Sequence, residues 1–124
     1  MMNDTSTTAQ FKVSVPTLPV RDAMAAQKYY CDVLGFEPEF MVNDGNDVPH
    51  FCGVSRDGVR VYLTTVDGEV RQGECSLVVD DVDAIHAEFK AKGVRIKRDP
   101  RDAPWGRYFT MLDLDGNHLT IGVK

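Results

Sequence analysis

The second half of this 124-residue chain repeats the pattern of the first half. The stretch TLPVRD at residues 17–22 corresponds to SLVVDD at residues 76–81, and Gly35 corresponds to Gly93, so the unit recurs after 58 or 59 residues. Each copy reads as one strand, one helix and three further strands. This repeat predicts a single domain built from two similar units, module 1 at about residues 11–66 and module 2 at about residues 73–124.

Each predicted helix begins at an aspartate and ends before a glycine. Asp22 and Asp81 stand where an N-cap carboxylate accepts hydrogen bonds from the free amides of the first turn. Apolar residues then follow at helical spacing: Ala26, Tyr29, Tyr30, Val33 and Leu34 in the first helix, and Val82, Ile85 and Phe89 in the second. Gly35 and Gly93 stand where the left-handed conformation ends a helix.

The remaining segments predict strands separated by turn signals. In module 1 the strands fall at residues 11–20, 36–42, 49–55 and 59–65, and in module 2 at residues 76–79, 94–97, 107–113 and 118–123. Asp57-Gly58 and Asp115-Gly116-Asn117 mark tight turns. Pro16 and Pro19 restrict the first strand to an edge or exchanged position, and residues 43–50 form a turn-rich insertion. The chain therefore belongs to the α+β class, with mixed sheets.

One helix can cover only one face of a four-stranded sheet. Leu18, Val20, Leu77 and Val79 are predicted to lie on the helix side. The opposite face, here called the open face, would carry a mixed set: Val15, Thr17, Arg60, Tyr62, Thr64, Glu74, Ser76, His118 and Thr120. Two curved sheets with such faces opposed would form a cleft suited to a small molecule.

The composition argues against nucleic-acid and membrane partners. The net charge is −5 and the pI is near 5.0, and no basic stripe of the kind that binds nucleic acid is present. The only basic run consists of Arg95, Lys97, Arg98 and Arg101, interleaved with Asp99 and Asp102. This run reads as a solvated edge. No apolar run approaches the roughly 20 residues needed to span a bilayer.

The N-terminal segment and the cysteines indicate a cytoplasmic protein. Residues 1–10 are polar and lack the apolar stretch of a secretory signal, and they are expected to fray. Cys31, Cys52 and Cys75 are odd in number and widely spaced, which favours reduced thiols over disulfides or a zinc site. No motif of a covalent nucleophile or of a phosphate-binding glycine loop is present.

Several short motifs in a fixed order carry a resemblance to a known superfamily. They are Val15-Pro16, Arg21-Asp22, Tyr29-Tyr30, Leu34-Gly35-Phe36, residues 79–82 and residues 113–117. With them, over about residues 13–123, the chain resembles the vicinal-oxygen-chelate superfamily of glyoxalases, extradiol dioxygenases and bleomycin resistance proteins. The resemblance implies tandem βαβββ modules whose curved sheets form a cleft.

The metal-using branches of this superfamily place His or Glu on the open faces of the first and last strand of each module. On this chain those positions fall on Val15, Tyr62, Glu74 and Thr120. Only one of the four side chains is a carboxylate, and a catalytic metal site needs about three protein ligands. No metal or other cofactor is therefore predicted.

The three histidines do not complete a set of metal ligands. Glu74 and His118 form a conceivable remnant pair, although two polar side chains lining a wet cleft are the favoured interpretation. His50 in the insertion and His86 on the flank of the second helix have no spaced partner residue, and both are interpreted as structural or exposed.

The bleomycin resistance branch resembles the chain more closely, at residues 15–22, 34–36, 51–59 and 105–109. Those proteins are dimers that hold the drug in two clefts without altering it, and they exchange an N-terminal strand that contains a proline. The resemblance thus implies a non-enzymatic homodimer with Pro16 at the hinge. By position it places in the cleft Glu39, Phe40, Phe51, Thr64 and Trp105, and the open-face pattern adds Tyr62 and His118.

These residues suit a flat, positively charged guest such as bleomycin. Glu39 would supply a carboxylate, and Phe40, Phe51 and Trp105 would supply apolar faces worth roughly 0.5–1.5 kcal/mol each beyond area burial. Simpler interpretations remain open: the two phenylalanines as core residues, Trp105 as a packing plug, and Glu39 as a solvent-facing residue.

The expected function is sequestration of a bleomycin-type antibiotic, which gives resistance without chemical modification. A metal-dependent lyase or dioxygenase is one alternative, because a strand register shifted by one residue would exchange the two faces. A sensing or binding module for an unrelated small molecule is the other.

Overall fold

The computed structural model describes residues 8–123. The elements are β1 (Thr17–Val20), α1 (Ala23–Asp32), β2 (Glu37–Asn43), β3 (Pro49–Arg56), β4 (Val59–Thr65), β5 (Glu74–Val78), α2 (Val82–Ala91), β6 (Arg95–Ala103), β7 (Gly106–Leu112) and β8 (His118–Gly122). One strand, one helix and three strands occur twice in this order, which confirms the predicted α+β architecture. The tail that was expected to fray lies mostly outside the described residues.

Each module forms one four-stranded mixed sheet, and the two sheets have the same topology. The strand orders are β1-β4-β3-β2 and β5-β8-β7-β6. The first strand of each module runs parallel to the last strand, with Thr17 opposite Tyr62 and Glu74 opposite His118, and the other pairs are antiparallel. The sequence repeat is therefore a repeat of strand pairing as well.

Both helices are capped as the sequence predicted. The carboxylate of Asp22 accepts a hydrogen bond from the amide of Ala25 at 3.0 Å, and that of Asp81 accepts one from the amide of Ala84, also at 3.0 Å. Such a cap contributes about 1 kcal/mol. After each helix the chain turns at a glycine in the left-handed region, with φ of 77° at Gly35 and 78° at residue 93.

The helix-facing sides of the two sheets contribute to one buried core. Its strand residues include Leu18, Val20, Val61, Leu63, Phe109, Met111, Leu119 and Ile121, and Tyr30 and Phe89 join them from the helices. The predicted helix side of β1 is thereby confirmed. Leu77 and Val79 are only partly buried and pack against the margin of this core.

Polar contacts also join the two modules. The Tyr30 hydroxyl in α1 donates to Asp113 Oδ2 at 2.7 Å, and both groups are buried. The Asn117 side chain donates to the Pro19 carbonyl at 2.9 Å. Arg56, at the end of β3, donates two hydrogen bonds of 2.8 Å to the Glu88 carboxylate in α2. The modules are thus held together through α1, α2 and the turns beside them.

The first strand is shorter than predicted. Only Thr17–Val20 pairs with β4, and residues 8–16 form no regular element, so the expectation of a strand from Phe11 was wrong for the single chain. The Pro16 carbonyl accepts from the Tyr62 amide at 2.9 Å, but proline has no N–H with which to continue the ladder. Phe11 is fully exposed and Val13 is 77% exposed.

Two further boundaries differ from the prediction. The β6 strand extends to Ala103 and contains Pro100, which is tolerated because β6 is an edge strand of its sheet. His50 lies in β3, beyond the turn-rich insertion. Neither α1 nor α2 is long and apolar enough to cross a membrane, and no other helix occurs in the described part of the chain.

Candidate functional site

Three aromatic rings form a cluster on the open face of the first sheet. Phe40 comes from β2, Phe51 from β3 and Tyr62 from β4, and the ring centroids lie 5.4–5.5 Å apart. All three side chains are half-buried. The packed sides of these strands are filled by neighbours such as Cys52 and Val61, so the rings lie outside the core.

A glycine makes room for one ring of the cluster. Gly53 is directly opposite Phe40 in the pairing of β2 with β3. A Cβ atom at Gly53 would lie 2.4 Å from a ring carbon of Phe40, which is far closer than two carbon atoms can approach. The missing side chain therefore creates the space that the Phe40 ring occupies.

A β-bulge in β2 brings a carboxylate beside this cluster. The pairing changes register between Pro38, which is opposite Val54, and Phe40. One extra residue in a strand places two consecutive side chains on the same face, where regular alternation would separate them. The side chains of Glu39 and Phe40 consequently both lie on the open face.

Glu39 is already engaged in polar contacts. Hydrogen bonds from Ser55 and from Arg60, at 2.9 Å for Arg60, lower the pKa of the Glu39 carboxyl. The carboxylate is therefore ionised at neutral pH, but it shares its charge with a guanidinium that is itself half exposed.

The open face of the second sheet lines a cavity of about 490 Å³. Its walls are formed by Glu74, Cys75, Ser76, Lys97, Arg98, Tyr108, Thr110, His118 and Thr120. All of these residues belong to module 2. Hydroxyls and cationic side chains dominate the lining, in contrast to the aromatic face of module 1.

The same bulge recurs in the second sheet with different side chains. The pairing of β6 with β7 changes register between Ile96, opposite Met111, and Arg98, opposite Thr110. Lys97 and Arg98 therefore both line the cavity, and they correspond to residues 39 and 40 after a shift of 58 residues. The basic run does lie on an edge strand, as predicted, but this part of it also forms a cavity wall.

His118 contacts one of these cations. The Lys97 Nζ lies 3.3 Å from His118 Nδ1. An ammonium group can only donate, so Nδ1 accepts and the ring proton of a neutral His118 is on Nε2. In this arrangement neither ring nitrogen offers a lone pair to another cation.

The residues present do not fit a resident divalent metal. Glu74 is the only carboxylate in the cavity, and Lys97 occupies the free nitrogen of His118. Among residues 8–123, no group of three or more His, Cys, Asp or Glu side chains could hold a metal ion. The described residues of one chain therefore do not bring together the three protein ligands that a catalytic metal site needs.

Trp105 stands beside the cavity at the turn between β6 and β7. It is 67% exposed, and its ring lies 5.6 Å from that of Tyr108 with an interplanar angle of 30°. Tyr108 is a wall residue of the cavity. Trp105 is thus a surface aromatic flanking the cavity and is not buried in the core.

The predicted ligand-binding residues fall into two groups within one chain. Glu39, Phe40, Phe51, Tyr62 and Thr64 lie on the open face of the first sheet, with Phe51 and Thr64 directly opposite each other in the pairing of β3 with β4. His118 and Trp105 belong to the second sheet. Between residues 8 and 123, no hydrogen bond, ion pair or ring contact joins the two faces. One chain therefore presents two separate faces.

The sequence pattern did not indicate five residues of the cavity, namely Lys97, Arg98, Cys75, Tyr108 and Thr110. The available signal was the repeat itself, because the first two occupy the positions equivalent to Glu39 and Phe40. The bulges could not be predicted from the alternation of apolar residues.

His86, Cys52 and Cys75 lie outside the aromatic cluster or have side chains that are poor nucleophiles. His86 lies 3.4 Å from Asp99 Oδ1, without hydrogen-bond geometry, and its ring is 5.2 Å from that of Phe109. Burial raises the pKa of the Cys52 and Cys75 thiols to about 11. Both thiols are therefore protonated at neutral pH and are poor nucleophiles.

One family model matches most of the chain. The family model of the Glyoxalase/Bleomycin resistance protein/Dioxygenase superfamily matches residues 12–121. No curated protein sequence matches the chain.

Two crystal structures of antibiotic-binding proteins are similar to the chain. One is the antibiotic-binding protein TnmS3 from Streptomyces sp. CB03234, with 27% identity, a TM-score of 0.75 and coverage of 94% of this chain and 98% of the other. Another is the bleomycin-binding protein from Streptomyces verticillus complexed with copper(II)-bleomycin, with 25% identity, a TM-score of 0.73 and the same coverages.

An enzyme also shares the fold. The lactoylglutathione lyase from Agrobacterium tumefaciens has 21% identity and a TM-score of 0.72, covering 90% of this chain and 92% of the other. At this identity the similarity concerns the fold alone.

The family model over residues 12–121 and the repeated modules lead to one conclusion: the chain belongs to the Glyoxalase/Bleomycin resistance protein/Dioxygenase superfamily.

Proposed function

We propose that this chain binds a small, flat, aromatic molecule and sequesters it without chemical change, a bleomycin-type antibiotic being the first candidate. The observation that carries the proposal is the aromatic cluster of Phe40, Phe51 and Tyr62 on a face outside the core, with the Phe40 ring over Gly53. The similarity to two antibiotic-binding proteins supports it.

The cluster provides the kind of contact that planar guests need. Ring pairs in tilted or edge-to-face contact contribute roughly 0.5–1.5 kcal/mol beyond the area they bury. A planar guest laid on the cluster would meet several rings at once. The carboxylate of Glu39 lies beside them, and a positive group on the guest could compete with Arg60 for it, because exposed ion pairs are weak.

The absence of a fitting ligand set favours binding over catalysis. A lyase or dioxygenase of this superfamily would need a metal, and Glu74 and His118 do not provide a site for one in the arrangement described above. The raised pKa values of buried Cys52 and of partly buried Cys75 keep both as thiols. The described residues offer hydrogen bonds, charge and ring faces, which are means of recognition.

The proposal includes a homodimer. Each chain presents one aromatic face and one polar cavity that do not meet, so a cleft with two walls requires a second molecule. We propose that the open face of module 1 in one copy lies against the cavity of module 2 in the other. Residues 8–16, with Phe11 and Val13 exposed and Pro16 as the hinge, are suited to exchange between the copies.

Titration with metal-free bleomycin tests the proposal. The protein is titrated in a calorimeter while Trp105 fluorescence is followed, and the drug is then recovered and its mass is measured. We expect saturable binding of one drug molecule per chain, a change in Trp105 emission and an unchanged drug mass. Phe51→Ala should weaken binding, whereas Leu114→Ala, which alters an exposed apolar residue outside both faces, should not.

Two results would contradict the proposal. The first is the absence of heat and of any fluorescence change at micromolar drug. The second is recovery of a modified drug, since conversion of the drug would mean that the site carries out chemistry.

A further inference from the structure

We infer that the cavity over the open face of module 2 recognises an oxyanionic group, such as a carboxylate, carried by the sequestered small molecule. The inference rests on the proposed function for the aromatic part of that molecule and adds a second feature to it. It concerns Lys97 and Arg98, which the known similarities leave without a role.

The first argument is that two cations adjacent in the sequence share one cavity wall. Within residues 8–123, neither Lys97 nor Arg98 has a carboxylate at ion-pair distance. Other cations of this range, such as Lys90 and Arg101, also lack an ion pair, so it is the shared position on the cavity wall that distinguishes Lys97 and Arg98. Two positive charges concentrated on one wall favour an external anion.

The second argument is the local backbone. The bulge in β6 turns Lys97 and Arg98 to the same side of the sheet, and both line the cavity. A regular strand would have sent one of them to the helix side. The bulge breaks the regular alternation of side chains at this point, and this is why both cations lie on the same side of the sheet.

The third argument is the chemistry of the remaining wall. Thr110, Thr120, Ser76 and Tyr108 contribute hydroxyl groups that can donate hydrogen bonds. With Nδ1 facing Lys97, a neutral His118 presents Nε2–H as a further donor. A wall of donors and cations suits a group that only accepts hydrogen bonds, and an oxyanion is such a group.

The only carboxylate of the cavity does not cancel this charge. Glu74 lies on β5, whereas Arg98 lies on β6 at the opposite edge of the sheet. Three strand spacings separate these edges, which is roughly 14 Å. A cavity of about 490 Å³ is also within the ordinary size range of sites for small molecules. An anionic group is therefore expected near β6 and the centre of the cavity.

Three naphthalene probes of equal shape test the inference. They are 2-naphthoate, 2-naphthamide and 2-naphthylmethylammonium, which carry charges of −1, 0 and +1. Binding to the ¹⁵N-labelled protein is followed by NMR at low ionic strength. We expect 2-naphthoate to bind most tightly, to shift the amide signals of Thr110 and Thr120, and to lose affinity as salt is added.

Variants assign the effect to the two cations. Lys97→Gln and Arg98→Gln should each weaken 2-naphthoate roughly two- to fivefold, the range expected for one exposed charge pair, and should leave 2-naphthamide unchanged. Lys90→Gln removes the same charge from an exposed position on α2 and should change neither affinity. Because these side chains are exposed, the variants are expected to fold normally, which their NMR spectra will show.

The outcomes separate this inference from the proposed function. Equal binding of all three probes, or tightest binding of the ammonium, would overturn the oxyanion inference and leave aromatic sequestration intact. If no naphthalene binds but inorganic phosphate shifts the cavity signals and Lys97→Gln weakens it, the inference stands and the aromatic proposal fails. If neither the naphthalenes nor phosphate binds, both are wrong.

Discussion

Gly53 illustrates how a single residue shapes the aromatic face. Its neighbours Cys52 and Val54 are fully buried on the helix side, while the open side of Gly53 is covered by the Phe40 ring. The sequence alone gave no reason to single out this glycine, because a glycine in a strand usually signals only a bulge or a close approach of backbone. The approaching group here is a side chain from the adjacent strand.

Gly53→Ala should separate ligand binding from folding. The added methyl group must displace the Phe40 ring, so we expect affinity for the aromatic guest to fall roughly two- to tenfold, equivalent to the ~0.5–1.5 kcal/mol of one stacked ring pair. Calorimetry with the drug gives the affinity, and thermal melting reports any loss of stability from overpacking. Gly45→Ala is the matched control, since a Cβ at Gly45 meets no atom within 4 Å. An unchanged affinity in a folded Gly53→Ala protein would contradict this role.

At the scale of elements, the sequence predicted the helix caps, both helices and the tight turns. The caps at Asp22 and Asp81, both helices and the turns at Gly58 and Gly116 follow from side-chain chemistry within a few residues. The bulges of β2 and β6 could not be predicted in this way, because they depend on pairing with a neighbouring strand. The strand predicted to begin at Phe11 was wrong over residues 11–16 for the same reason, because no strand of the described chain lies beside that part to extend the sheet.

The link between β3 and α2 has a predictable pH dependence. Hydrogen bonds from Arg56 lower the pKa of Glu88 in the folded protein. A carboxyl group with a lowered folded pKa stabilises the fold at pH values above its unfolded pKa of about 4.3, and this stabilisation is lost as the pH falls through the folded pKa. The contact between the modules should therefore weaken in acid.

Melting curves of the wild type and of Glu88→Gln between pH 7 and pH 3 test this. We expect the wild type to be the more stable protein at pH 7 and the difference to shrink as the pH falls. Glu69→Gln, at an exposed position in the connector between the modules, serves as the control and should follow the wild type. A difference that stays constant down to pH 3 would show that the ion pair does not contribute.

For the whole molecule, the two separate faces imply a test by complementation. If each cleft combines module 1 of one chain with module 2 of another, a chain damaged in one module can still supply the other. We therefore expect a heterodimer of Phe51→Ala and Arg98→Glu chains to contain one intact cleft and one doubly damaged cleft. Either homodimer would have two damaged clefts.

Co-expression of the two variants with different affinity tags isolates the heterodimer. Calorimetry with 2-naphthoate, which carries both a flat ring and a carboxylate, should show one molecule bound with wild-type affinity per heterodimer, against two per wild-type dimer. The control is a wild-type dimer whose two chains carry the same two tags. If the heterodimer binds no better than the two homodimers, the cleft is not shared between chains in this way.

The corresponding bulges in β2 and β6 carry different side chains, and this difference bears on which faces would meet in the proposed dimer. If module 2 of one copy faced module 2 of the other, the cavity walls with Lys97 and Arg98 would oppose and repel each other. The aromatic faces of the two modules 1 would then stack with no positive side chain from module 2 between them. A head-to-tail arrangement would instead place the aromatic rings of one copy opposite the cations of its neighbour, so that a guest with a flat ring and an anionic end would contact both. In the proposed dimer, the difference between the two modules would therefore give a symmetric pair two equivalent sites in place of two different ones.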